Sequence, residues 1–188
     1  MINDAENKLL VRDEKNNVIK NIEILFSFSA ITKSDIRKYK IKLNGNKVKQ
    51  KDLWAIFGRK ENAWQCIQVG SSKNAYREIK EILYYMISEP KESPKSTFFH
   101  KNVYTFYSYM DKLSVKYRTV YKKYDEFFVC KVNVEEVLKG IDIGCYNPIN
   151  YAEVKFAWDH KALLWNPAPL TNGNREKEIL NKYFSTCS

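Results

Sequence analysis

The chain has 188 residues, 44% hydrophobic and 14% aromatic, which is enough apolar material for one packed core and excludes a disordered chain. No apolar run reaches the roughly 20 residues of a membrane span, and the opening MINDAENKLL lacks an apolar signal stretch, so a soluble cytoplasmic protein with no membrane partner is expected. Thirty-two Lys and Arg against 22 Asp and Glu leave a net charge of +10, which either favours a polyanionic partner or reflects a general Lys/Asn/Ile-rich coding bias.

The four cysteines, Cys66, Cys130, Cys145 and Cys187, are scattered and form no C-x-x-C pair. With only His100 and His160 beside them, neither a disulfide framework nor a dedicated zinc site is expected.

Residues 1–20 are polar, with a first strand and a Lys-Asn-Asn turn at 15–17. Asn21 to Ile31 reads as a half-buried strand with Ile22, Ile24, Phe26 and Phe28 on one side. Ser34 then offers a helix cap, and Asn44-Gly45 a turn or stop. Lys33, Arg37, Lys38, Lys40, Lys42, Lys47, Lys49 and Lys51 make this stretch either a nucleic-acid-contacting arm or a solvated linker. Residues 1–52 thus read as a basic extension, strand plus helix, packed on a core of 53–188.

In that core, Leu53–Phe57 and Cys66–Val69 read as two strands joined through Lys60, Glu61 and Asn62. After Gly70-Ser71-Ser72 the period changes: Ala75, Ile79, Ile82 and Leu83 fall on one face of an amphipathic helix capped by Ser72 or Asn74. A hairpin feeding a helix this way either collects backbone N–H groups around an anion or merely packs.

EPKESPKS, residues 89–96, is a loop. Residues 97–125 form an aromatic and basic helical insert, in which Tyr117, Tyr121 and Tyr124 recur at i, i+4 and i+7. They are either a core stripe or a platform for stacking bases among Lys112, Lys116, Arg118 and Lys122. Glu126–Val134 is a strand with Phe128, Cys130, Val132 and Val134 on one face, followed by a short helix from Asn133 to Gly140. Helices over Ala152–Leu164 and Arg175–Phe184 flank the turn Asn166-Pro167. The whole reads as one α+β domain, a small antiparallel sheet flanked by helices.

In this order of elements the chain resembles the GIY-YIG nuclease family. Ala55-Ile56-Phe57 stands where the family has Gly-Ile-Tyr, and Gln68-Val69-Gly70 where it has Tyr-Ile-Gly. The Gly70 turn with its basic helix, and Ala152-Glu153 ahead of Asn166-Pro167, are similar to the family's arginine-bearing and closing helices. The resemblance implies a DNA endonuclease dependent on Mg²⁺ or another divalent cation, with a restriction-type enzyme as one option: Glu153 would hold the metal, Arg77 and Lys73 would clamp the phosphate, and Asn166 would steady the turn. The departures are Phe57 and Gln68, which stand where tyrosines carry the family's chemistry, and Arg77, which lies one residue early, where Glu78 follows. A base would then have to come from Tyr76, His100 or Lys73. The alternative is a degenerate module on the same fold that binds nucleic acid or protein without cleaving. For either reading the expected contacts are Lys38, Lys42, Arg59, Lys112, Lys116, Arg118 and Lys122, with DNA favoured over RNA and a homodimer as one option.

Overall fold

A computed structural model describes residues 11–13, 15, 17–38, 52–71, 75–87 and 115–165. Its centre is a four-stranded antiparallel sheet of β1 (Ile22–Phe28), β2 (Asp52–Lys60), β3 (Ala63–Gly70) and β4 (Glu126–Asn133), in the order β1-β4-β2-β3. The helices are α1 (residues 33–38), α2 (Ala75–Ile87), α3 (residues 115–123), α4 (Val134–Val137) and α5 (Pro148–Asp159), so the fold is α+β. No helix among the described residues is long and apolar enough to cross a membrane.

Both faces of the sheet are covered, which explains why β2 and β4 are apolar at consecutive positions instead of alternating. On one face Trp54, Ile56, Ile67, Phe127 and Val129 pack with α1, α2 and α3 through Ile36, Ile79, Leu83, Tyr117 and Val120. On the other, Leu53, Ala55, Phe57, Phe128 and Cys130 pack with α5 through Ala152, Phe156 and Ala157. β1 pairs with β4 along its length, so this strand, read as part of an amino-terminal extension, is an edge strand of the same sheet.

Several local expectations shift for identifiable reasons. In β1 the register slips between Ile24 and Phe26, and the resulting bulge turns Leu25 inward and leaves Ile24 exposed. At α1 the cap is Thr32 and not Ser34: the Asp35 N–H donates to Thr32 Oγ1 at 3.2 Å, while Thr32 N–H donates to Asp35 Oδ2 at 3.1 Å, a reciprocal capping box. Helix α5 begins at Pro148 because Asn147 accepts from the Ile149 and Asn150 N–H groups and proline suits the first helical position. It ends at Asp159, where Lys161 adopts a φ of 47° and turns the chain away.

The residues beyond α5 then run along the outer edge of β3. The Leu163 N–H donates to Cys66 O at 3.1 Å and the Leu164 N–H to Ile67 O at 2.8 Å. At the other end of that strand the Trp64 N–H donates to Arg12 O at 2.9 Å. These bonds occupy part of an edge that would otherwise be open to strand addition.

Candidate functional site

The turn after β3 is shaped by glycine. A Cβ on Gly70 would lie 2.6 Å from the Trp54 ring, which packs flush against the backbone there. The Trp54 Nε1–H donates to Glu78 Oε2 at 3.2 Å, so Glu78 is held on the α2 side of this turn. On the α5 side, Ser71 Oγ–H donates to Glu153 Oε2 at 2.5 Å and Trp165 Nε1–H to Glu153 Oε1 at 3.0 Å. Glu153 therefore reaches the Gly70–Ser71 turn across 82 residues of sequence, with a donor on each carboxylate oxygen.

That donor set tests the fit of the Mg²⁺ implied by the resemblance. Magnesium takes one or two carboxylates with water and phosphate oxygens, but here both Glu153 oxygens already face hydrogens. No group of three or more His, Cys, Asp or Glu among the described residues is placed to hold a metal. The carboxylate fits an anchor between β3, α5 and Trp165 better than an open metal ligand.

The other residues expected at a phosphodiester site are dispersed. Arg77 stands on α2, on the opposite face of the sheet from α5, and pairs with Glu81 at 3.6 Å. Tyr76 is half-buried against the α2 core, and burial, followed by the neighbouring Tyr84, pushes its phenol above the ordinary tyrosine range and away from service as a base. Phe57 is fully buried, stacked on Phe128 at 4.9 Å between ring centres, and edge-on to Phe156 at 6.3 Å. Gln68 is half-buried, and its Oε1 is buried without a hydrogen-bond partner. Lys73, His100 and Asn166 lie outside the described residues, as do Lys42 and Lys112.

The basic positions divide by face. Helix α3 turns Tyr117 and Val120 inward and Lys116, Lys122 and Lys123 to solvent, with Arg118 half-buried beside them and no acid in the helix. The tyrosines are core members: the Tyr121 hydroxyl accepts from the Ile31 N–H at 3.2 Å. Helix α1, on the same face, exposes Lys33, Arg37 and Lys38, the last 3.7 Å from Asp35. Arg59 belongs to the other face, 2.5 Å from Glu126, with its guanidinium over Trp64 at 5.7 Å. Residues 134–165 carry five acids against three lysines, whereas α3 carries four cations and no acid.

One feature was not anticipated. A cleft of about 160 Å³ opens between the Asp13–Asn17 turn, the start of β3 and the end of α5, lined by Phe57, Trp64, Asp159, His160 and Lys161. The His160 ring lies 4.3 Å from Phe156 and 6.1 Å from Phe57. Burial lowers its pKa below the ordinary histidine value; Asp159 and Asp13 pull the other way and Lys155 adds to the lowering, so the ring is neutral at pH 7. The sequence reading places His160 inside a helix over Ala152–Leu164; only the fold ends that helix at Asp159 and brings Asp13, Lys15 and Asn17 against the histidine.

Comparison with family models, with curated proteins and with solved structures returned no match.

Proposed function

We propose that this chain is a nucleic-acid-binding module that grips the phosphate backbone with its α1–α3 face and does not hydrolyse it. The observation that carries this reading is α3, whose outward side presents Lys116, Arg118, Lys122 and Lys123 without an acid while its aromatic residues are spent in the core. Backbone contacts of this kind are long-range and favourable for any sequence, with affinity drawn from released counterions. The buried Phe57, the anchored Glu153 and the Glu81-paired Arg77 argue for binding without cleavage.

The test is anisotropy with a labelled DNA duplex across a salt series. About four phosphate contacts give a log–log slope near −3.6, a fall of about 150-fold between about 50 and 200 mM salt. A flat response would replace nucleic acid with a protein partner. A second reading, the metal-dependent endonuclease, is favoured by the meeting of Glu153 with the Gly70–Ser71 turn. It predicts nicking of plasmid in Mg²⁺ or Mn²⁺ that Glu153→Ala abolishes; the binding reading predicts intact plasmid and unchanged affinity in that variant.

A further inference from the structure

We propose that the cleft beside His160 is a nucleobase pocket that takes one unstacked base of a single-stranded nucleic acid against Trp64 and His160; this rests on the nucleic-acid reading above. Its volume of about 160 Å³ is the first reason. A cavity of roughly 150 Å³ accommodates a single six-membered aromatic ring, so one base fits and a folded peptide segment does not.

The wall chemistry is the second reason. Phe57 and Trp64 are buried members of its wall, the His160 ring is its less buried aromatic, and no ring nitrogen of His160 hydrogen-bonds another described residue. A neutral imidazole offers one donor and one acceptor, the pair that the polar edge of a base requires. The cleft's carboxylates are already engaged. Asp13 accepts from the Lys15 and Asn17 N–H groups, both at 2.9 Å, and from Asn17 Nδ2 at 3.3 Å, while Asp159 takes Lys155 Nζ at 2.6 Å. With Asp13 hydrogen-bonded and Asp159 paired within the chain and Lys15 and Lys161 at the rim, the cleft suits a neutral flat ligand that carries a phosphate outside.

Position is the third. The Asp125 N–H donates to Arg59 O at 2.9 Å, so the carboxyl end of α3 meets the end of β2, from which a two-residue turn leads to Trp64. A strand laid along Lys116 to Lys123 would leave α3 at Arg59 and Lys60, the same end of the sheet as the cleft. A base rotated out of that strand would find the His160 ring there, and stacking on rings is the usual means by which single strands are held.

The experiment follows the His160 ring and Trp64 indole signals by NMR in the full chain, titrated separately with adenosine 5′-monophosphate, uridine 5′-monophosphate and a short DNA duplex. The mononucleotides should shift His160 and Trp64, and His160→Ala should abolish the Trp64 shift in a chain whose signals away from the cleft keep their wild-type dispersion. A single-stranded oligonucleotide should bind about tenfold or more tightly than the same strand built of abasic sites, and His160→Ala or Asn17→Ala should reduce that ratio. Mononucleotide shifts absent from the cleft, or an unchanged ratio in both variants, would overturn the pocket. If the duplex still binds with a steep salt slope, the α3 reading survives that result. Loss of duplex binding together with shifts at His160 would instead retain the pocket and sink the α3 face.

Discussion

At Gly70 the missing side chain is what lets the Trp54 indole lie on the backbone and reach Glu78. Gly70→Ala forces a Cβ to 2.6 Å from a ring that is 2% exposed and has no room to retreat. Overpacking of this kind costs about 1–3 kcal/mol, so a urea midpoint unchanged in that variant would mean the ring can move. Phe57 poses the complementary question. Restoring a tyrosine there places a hydroxyl in a layer between Phe128 and Phe156. Phe57→Tyr should destabilise by about 1–3 kcal/mol and confer no cleavage, measured by denaturation and by plasmid assay together. The residue types at these positions were plain in the sequence, but whether position 57 faces solvent or core is a property of the fold, because a strand covered on both sides has no outward face to betray.

Among the elements, α2, β4 and the β2–β3 hairpin were legible because their patterns are local: three- and four-residue spacing in α2, and turn residues between two apolar runs. The bulge at Leu25 was not, since an extra residue in one strand is defined only by the partner opposite. The end of α5 was misplaced for a similar reason. Ala162 to Leu164 continue an apolar, helix-compatible string, yet the Ala162 N–H closes the end of α5 on Ala157 O and the Leu163 and Leu164 N–H groups go to the open edge of β3 instead of another helical turn. Glu153 was picked out from a resemblance and the structure does bring it to the Gly70 turn, but the two donors that hold it, Ser71 and Trp165, were invisible to spacing. Helix α3 carries the functional prediction at this scale. Lys116→Glu with Lys122→Glu removes two contacts on one side of one helix, and should reduce the magnitude of the duplex salt slope by about 1.8. The same reversal at Glu135 and Glu136, made to lysine on the far side of the sheet, should leave that slope unaltered.

In the molecule as a whole, acid sensitivity should trace to the cleft. His160 is packed with Phe57 and Phe156 and faced by Asp13, Asp159 and Lys155, and burial sets its folded pKa below the ordinary value of 6.5. The unfolded chain therefore takes up a proton that the folded protein resists, so stability is fully present above that value and declines as pH falls through it. Unfolding free energies measured from pH 8 to pH 5 should decrease in this window, and His160→Leu should flatten the decrease. Buried thiols take no part, since burial pushes Cys66 and Cys130 far above the neutral range.

The four cations of α3, in a helix with no acid, have a consequence for time as well as affinity. On the nucleic-acid reading, a body with cations gathered along one helix is turned by the field of a polyanion before the two touch, so more encounters begin at α3. Stopped-flow mixing with DNA should show an association rate that drops as salt rises while the dissociation rate stays nearly constant. Reversing Lys116 and Lys122 should lower the arrival rate, because the molecule would then approach without a preferred heading.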